Sequence, residues 1–274
     1  MSRTKEMRDE FPTLMARAYE TMRKHHFVEE IMSRNVVTIR PDANIEQAAK
    51  IMGEKHIGSL LVLDEGKVIG IVTERDLLSK VLAKGKEPAS VLVKDVMSYP
   101  VVSVRPSITI KEAAAKMIAE KGRLVVMADD RVVGIITASD LIKSLPESPE
   151  TELKVEKVMT RHVKSVDEST TVAEVAKIMG DQRIGSVIVN RNGKPYGIFT
   201  ERDLLTTFLA AGKSLQTKVG EAASHPLITI PIGTSIHQTA MLMSARHIRR
   251  LPVVEKDKIV GIVTARDLVE AYAK

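Results

Sequence analysis

The stretch GIVTERDLL, residues 70–78, recurs three more times, as GIITASDLI from Gly134, GIFTERDLL from Gly197 and GIVTARDLV from Gly261. Every copy keeps a Thr followed three residues later by an Asp. The four threonines are separated by 64, 63 and 64 residues. Self-similarity at a fixed period marks a chain built from repeated structural units. The sequence therefore predicts four copies of one unit.

The copies alternate in type along the chain. Residues 51–86 align without a gap with residues 178–213, with 21 identities in 36 positions, and the second and fourth copies lack the AKGK or AAGK tail of the other two. This pattern predicts two modules of two repeats each. The first module would span 28–146 (repeats 28–86 and 92–146) and the second 155–274 (repeats 155–213 and 217–274), with a linker at 147–154.

Periodicity within one repeat predicts the order β-α-β-β-α. A short β-rich run (VVTIR, 36–40) precedes a helix whose apolar residues Ile45, Ala48, Ala49 and Met52 share one face. Two apolar runs separated by the polar turn DEGK then predict a hairpin, and Thr73 opens a second helix. A unit with one sheet and two helices has an apolar face to cover, so repeats should pair. The predicted fold class is α/β (α+β).

Composition favours a cytoplasmic globular protein. The 274 residues are 44% hydrophobic and 28% charged, with no cysteine and no apolar run long enough for a membrane span. The net charge of +6 is spread along the chain and Trp is absent, so nucleic-acid binding is possible but not indicated. Residues 1–27 are predicted to form a helical arm that packs on the domain or on a second subunit; the alternative is an arm that docks a partner or binds nucleic acid. The sequence has no nucleophile paired with a base and no glycine-rich phosphate loop, so an enzyme is not expected. The histidines do not have the spacing of metal ligands, so a metal site is not expected either.

The Thr-x-x-Asp motif has two readings. Thr before an apolar helix is a good N-cap, and an acid three residues later resembles a capping box. However, a capping box prefers Glu or Gln there, and Asp is expected to reach the cap poorly. A short carboxylate at a helix start suits the vicinal diol of a ribose, and the neighbouring N–H groups suit a phosphate.

The β-α-β-β-α unit with G-h-h-T-x-x-D entering its last helix resembles the CBS domain, whose tandem pairs form Bateman modules. The resemblance covers residues from about 28 to the C-terminus, in a four-repeat layout similar to that of the gamma subunit of AMP-activated protein kinase. It implies a regulatory protein that senses adenosine ligands (AMP, ADP or ATP, or alternatively S-adenosylmethionine) and has no catalytic cofactor. The alternative is a ligand-independent scaffold for a partner protein.

The resemblance also assigns candidate site residues. Ribose and phosphate would be held by Thr73, Asp76, Thr137, Asp140, Thr200, Asp203, Thr264 and Asp267. The adenine would lie beside Val36, Val37, Thr38, Val101, Val102, Ser103, Val163, Ser165, Leu227, Ile228 and Thr229. Phosphates would be met by Arg75, Arg123, Arg202, His247, Arg249, Arg250 and Arg266.

Departures from the family pattern predict that the four sites are not equivalent and that fewer than four are filled. Ser59 and Ser186 stand where the other repeats carry Arg123 and Arg250, and Lys164 lies beside one adenine position. The Arg content favours phosphate-bearing ligands. Whether the modules pair within one chain or in a homodimer stays open, as does the effector protein.

Overall fold

The computed structural model describes residues 26–120, 122–144 and 153–274. The predicted arm, except for its last two residues, and most of the predicted linker lie outside these ranges. The described chain contains four three-stranded sheets with helices packed on them, which confirms the α/β prediction of four repeats. None of the helices in the described ranges is both long enough and apolar enough to cross a bilayer.

Each sheet has the same order, with a short first strand parallel to a central strand and a third strand antiparallel to it. The strands are β1 (Thr38–Ile39), β2 (Ser59–Asp64), β3 (Lys67–Thr73), β4 (Ser103–Val104), β5 (Leu124–Ala128), β6 (Arg131–Ile136), β7 (Ser165–Asp167), β8 (Ser186–Arg191), β9 (Lys194–Thr200), β10 (Ile230–Pro231), β11 (Arg250–Glu255) and β12 (Lys258–Thr264). The first strands are shorter than the sequence pattern suggested.

The predicted hairpins are confirmed. In the β2–β3 hairpin, Asp64 pairs with Lys67 across a two-residue turn. Glu65 and Gly66 in that turn have φ of 46° and 78°. Two positive φ values give a turn whose twist matches that of the strands it joins. The register then places Thr73, the last residue of β3, opposite Ser59, the first residue of β2.

The α-helices are α1 (Val28–Ile31), α2 (Ile45–Glu54), α3 (Glu74–Asp76), α4 (Val93–Val96), α5 (Ile110–Ala119), α6 (Ala138–Ile142), α7 (Val172–Asp181), α8 (Glu201–Asp203), α9 (Ile236–Arg246) and α10 (Ala265–Ala273). Shorter 3-10 turns cover Leu82–Lys84, Pro88–Ser90, Val155–Lys157 and Val219–Glu221. After α3 and α8 the chain continues as π-helix over Leu77–Val81 and Leu204–Leu209.

The chain divides into two compact units that combine alternate repeats. Unit 1 comprises the described residues of 1–35, 102–162 and 229–274, and unit 2 comprises 36–101 and 163–228. Unit 1 thus holds the sheets of the second and fourth repeats, and unit 2 those of the first and third. Helix pairing between repeats therefore occurs inside one chain in each unit. The predicted two-module boundaries stay a prediction.

The opening segment of each repeat packs on the sheet of another repeat in the same unit. In unit 1, the Val28 N–H donates to the Ile108 carbonyl at 3.0 Å; in unit 2, the Val93 N–H donates to the Ala43 carbonyl at 2.8 Å. The third and fourth repeats exchange their opening segments in the same way. The Val155 N–H donates to the Thr234 carbonyl at 2.9 Å, and the Val219 N–H donates to the Thr170 carbonyl at 2.8 Å. Each sheet therefore has a flank built from a distant part of the sequence.

The core of unit 2 is interleaved between its two repeats. Leu77 lies in the core of its own repeat, whereas the adjacent Leu78 lies in the core of the third repeat. In the third repeat, Leu204 lies in its own core and Leu205 lies in the core of the first repeat. All four leucines are at most 2% exposed. Adjacent side chains point roughly 100° apart around a helix axis, so neighbouring leucines can enter different cores. In unit 1 the buried apolar residues form one cluster.

Candidate functional site

The four Thr-x-x-Asp motifs share one hydrogen-bond pattern. The Asp Oδ2 accepts from the backbone N–H of the motif Thr at 2.9 Å for Asp76, 2.9 Å for Asp140, 2.8 Å for Asp203 and 2.7 Å for Asp267. The Thr hydroxyl donates to the same oxygen at 2.6–2.8 Å. The expectation that Asp reaches the cap poorly is therefore wrong. The extended backbone of the capping Thr, with φ of −131° and ψ of 161° at Thr73, turns its N–H toward the first turn of the helix.

The first long helix of every repeat provides an internal comparison. These helices also begin with complete capping boxes, but the third helical residue is Gln47, Glu112, Glu174 or Gln238. Their N-caps vary among Asn44, Thr109, Thr171 and Ser235. The chain thus uses the longer acids and amides where capping alone is needed, and keeps an invariant Thr and Asp at the second helix.

The second carboxylate oxygen of the motif Asp lies outside the capping box. Asp76 Oδ1 is 2.7 Å from Lys80 Nζ and accepts from the Ser98 hydroxyl at 3.3 Å. Asp203 Oδ1 accepts from the Ser224 hydroxyl at 3.4 Å. A carboxylate held by one oxygen can accept hydrogen bonds from a ligand hydroxyl through the other.

Ser98 and Ser224 belong to the exchanged opening segments and were missed in the sequence. The Ser98 N–H donates to the Ile71 carbonyl at 2.8 Å and the Ser224 N–H to the Ile198 carbonyl at 2.9 Å. Ser33 and Thr160 make the same backbone bond in unit 1. A recurring hydroxyl residue after Met or Ala, at 32–33, 97–98, 159–160 and 223–224, is the signal that could have identified them.

The motif glycines explain how closely these segments approach. A Cβ on Gly70 would lie 2.6 Å from Met97 Sδ, and one on Gly197 would lie 2.7 Å from the Ser224 carbonyl oxygen. Gly134 and Gly261 face Met32 and Met159 in the same way. The glycines are therefore required by an approaching backbone segment. The neighbour at each glycine is the opening segment of another repeat.

The predicted adenine positions lie on the other flank of the central strand. In the first repeat, Thr38 pairs with Leu61 and the Leu61 N–H donates to the Val37 carbonyl at 3.1 Å. Because the central strand separates β1 from β3, these positions are two strand spacings, about 10 Å, from the motif strand. The valines among them (Val36, Val37, Val101, Val102 and Val163) are all half-buried, whereas Lys164 is exposed.

Burial perturbs one of the motif carboxyls. Burial raises the pKa of the Asp267 carboxyl above its ordinary value, while the hydrogen bonds from Thr264 oppose that shift. Nearby Glu270 raises this pKa further and Arg266 lowers it. A half-buried acid whose ionisation is disfavoured by folding is found at functional sites and also in structural networks.

The predicted phosphate-binding residues fall into two groups. Arg250 lies opposite Thr264 at the start of its central strand, and Arg123 precedes the strand residue Leu124, which pairs with Ile136. His247 caps α9 in a left-handed conformation with its side chain exposed. Arg266 Nη2 donates to the Ile118 carbonyl at 3.4 Å.

Arg75 and Arg202, in contrast, are engaged with carboxylates in unit 2. Arg75 Nε lies 3.1 Å from Glu201 Oε1, and Arg202 Nη2 lies 3.1 Å from Glu74 Oε1. Both arginines were predicted as phosphate ligands. In the structure Arg75 Nε faces Glu201, whereas Arg202 faces Glu74 through both Nε and Nη2.

The sequence profile of the CBS domain matches residues 28–83, 93–147, 155–210 and 219–274. These four matches cover most of the chain, so the protein belongs to the CBS-domain family.

Two proteins of Methanocaldococcus jannaschii are similar to this chain in sequence. The chain is 30% identical over 266 residues to the uncharacterized protein MJ1404 of Methanocaldococcus jannaschii, covering 90% of this chain and 62% of that protein. It is 32% identical over 196 residues to MJ1225 of the same organism, covering 66% and 69% of the two chains. The first of these relatives is therefore substantially longer than the part matched here.

Two solved structures show the same fold. The crystal structure of MJ1225, described as a candidate archaeal homologue of g-AMPK, matches with a TM-score of 0.75 at 22% identity, over 90% of this chain and 99% of that one. An uncharacterized conserved protein from Pyrococcus horikoshii matches with a TM-score of 0.62 at 24% identity over the same shares.

Proposed function

We propose that this protein is a regulatory sensor that binds adenosine nucleotides (AMP, ADP or ATP) at its Thr-x-x-Asp motifs. The contrast between the two sets of capping boxes is the observation that carries the proposal. All eight boxes stabilise a helix start, yet only the second set is restricted to Thr and Asp. Capping alone does not require that restriction, since Ser, Asn, Glu and Gln serve equally well in the first set.

The geometry around the motif suits a nucleoside. Asp Oδ2 is fixed by the cap, so Oδ1 is held in one orientation beside the start of the central strand. Half-buried valines on the far flank offer an apolar surface for a base, about 10 Å away. A ribose would then lie at the carboxylate and the base at the first strand, with phosphates toward the arginines at the central strand.

Regulation requires that the ligand distinguish two arrangements of the protein. A ligand shifts such an equilibrium only by its difference in affinity for the two states, typically 1–3 kcal/mol. The opening segments can transmit such a difference, because Ser98 and Ser224 contact both a motif Asp and a strand of another repeat. The effector protein that reads this change would be a separate partner.

A ligand-independent scaffold is the second candidate function. Its support is that the motif Thr and Asp hydrogen-bond to each other in a capping box, which stabilises the helix start by itself. S-adenosylmethionine is an alternative ligand, and its cationic sulfonium would avoid the arginines at the central strand.

Thermal melting with and without AMP, ADP, ATP and S-adenosylmethionine tests the proposal. At about 100 times its dissociation constant, a bound ligand adds about 2.7 kcal/mol to the stability of the folded state. Asp140→Ala, which removes one of the four motif carboxylates, should reduce the nucleotide response, whereas the matched control Glu112→Ala, which removes the equivalent cap residue of α5 in the same repeat, should keep it in full. Equal responses in both variants would favour the scaffold.

A further inference from the structure

The four motif carboxylates differ in how far they are exposed to solvent. Asp76 is 6% exposed, whereas Asp140, Asp203 and Asp267 are half-buried. All four accept hydrogen bonds through Oδ2 from the backbone N–H and the hydroxyl of the motif Thr, so the capping box does not explain the difference. The cause lies at Oδ1, the oxygen that a ligand hydroxyl would have to reach.

Lys80 covers this oxygen in the first repeat. Its Nζ lies 2.7 Å from Asp76 Oδ1, and the side chains of Lys80 and Asp76 are 42% and 8% exposed. An acid four residues before a lysine is the favourable orientation for such a pair on a helix. The corresponding positions of the other three motifs are Ser144, Thr207 and Ala271. Lys80 is therefore the only cationic side chain among the four positions.

The Lys80 ammonium also binds the opening segment of the second repeat. Its Nζ donates to the Val96 carbonyl at 2.6 Å, and the Ser98 hydroxyl donates to Asp76 Oδ1 at 3.3 Å. A carboxylate oxygen has about two lone-pair sites, and at Asp76 Oδ1 the ammonium and the hydroxyl occupy them. A hydrogen bond between two charged groups is stronger than one from a neutral hydroxyl, so a ribose hydroxyl would replace Lys80 only at a loss.

We infer that Lys80 is an internal substitute for the ligand at Asp76 and closes this motif to adenosine nucleotides. The ammonium takes the acceptor that a ribose would use, and it holds the opening segment of the second repeat on the first repeat with or without nucleotide. The inference rests on the proposed function and specifies which motif is not one of its binding sites.

Calorimetric titration with ATP tests this assignment. Lys80→Ala should bind one more ATP per chain than the parent, because the substitution uncovers Asp76 Oδ1. The matched control is Lys84→Ala, which removes the same charge from an exposed side chain in the following 3-10 turn and should bind as many ATP molecules as the parent. Adding Asp76→Ala to Lys80→Ala should remove the additional site, which would assign that site to the first motif.

The reverse substitution should close a motif. Ala271→Lys places a lysine four residues after Asp267, at a half-buried position of α10, and this variant should bind one ATP fewer than the parent. Ala271→Met, which adds a side chain of similar length without the charge, is its control and should bind as many as the parent. This pair of variants decides the inference if Lys80→Ala fails to fold.

An unchanged or lower number of ATP molecules bound by Lys80→Ala, or equal numbers bound by Ala271→Lys and Ala271→Met, would overturn this inference and leave the proposed function standing. If neither the parent nor Lys80→Ala binds ATP, the inference and the proposed function are both overturned.

Discussion

Leu78→Ala should destabilise a repeat to which Leu78 does not belong in sequence. Leu78 is 2% exposed and lies in the core that contains Val187, Val189 and Phe199 of the third repeat. The adjacent Leu77, 1% exposed, lies in the core of its own repeat. The pair therefore provides two truncations of the same size and burial that act on different cores.

Truncation of a buried Leu to Ala typically costs 2–5 kcal/mol, since the lost transfer free energy adds to that of the cavity. We expect the loss of stability in both variants to fall in this range, because both leucine side chains are almost fully buried. Native-state hydrogen exchange resolves where the loss falls. Leu78→Ala should lower protection of the β8 amides at least as much as that of β2, and Leu77→Ala should lower protection of β2 more.

Protein concentration provides the control, because pairing inside one chain predicts exchange rates that do not change on dilution. Loss of protection confined to the first repeat in Leu78→Ala, or a strong dilution effect, would refute the interleaved core and with it the in-chain pairing of the first and third repeats.

Three further outcomes follow from the site geometry. Because burial raises the pKa of Asp267, folding disfavours its ionised form. The parent should therefore lose stability relative to Asp267→Asn as the pH rises from about 3.8 toward neutrality. Urea unfolding across this pH range tests the prediction, and a stability difference that does not change with pH would contradict it. Gly197→Ala should lower the free energy of unfolding by about 1–3 kcal/mol and by more than Gly134→Ala does. The Cβ added at residue 197 would meet a backbone carbonyl, whereas the one at residue 134 would meet mainly a flexible Met side chain. Equal melting temperatures of the two variants would contradict this prediction. Glu112→Ala should cost about 1 kcal/mol, the value of a helix cap, and thermal melting that shows a much larger loss would mean that it is no neutral control.

Local patterns in the sequence were sufficient for much of the fold. The 3.6-residue spacing of Ile45, Ala48, Ala49 and Met52 predicted α2, and all four residues are buried. The polar turn between two apolar runs predicted the hairpin of β2 and β3. These features depend on neighbours within one repeat, so periodicity and turn chemistry determine them.

Long-range contacts could not be predicted in this way. The pairs Arg75–Glu201 and Arg202–Glu74 join residues 126 and 128 positions apart, and no local pattern specifies such partners. The sequence identified Arg75 and Arg202 as basic residues of the motif. Their carboxylate partners could be identified only from the folded structure. The exchanged opening segments were missed for the same reason.

The reach of the motif Asp was misjudged for a different reason. Side-chain length alone does not decide whether Asp reaches the cap, because the extended conformation of Thr73 and its hydroxyl donor bring the cap to the carboxylate. The motif is therefore a complete helix cap, and its restriction to Thr and Asp is the observation on which the proposed ligand site rests.

The most direct measurement is equilibrium binding of ATP to the parent and to two matched double variants of unit 1. Asp140→Ala/Asp267→Ala removes the motif carboxylates, and Glu112→Ala/Gln238→Ala removes the cap residues of the first long helices in the same two repeats. We predict that the first variant binds ATP at fewer sites than the parent and that the second variant binds like the parent. Equal binding by both variants, or equal loss in both, would contradict it.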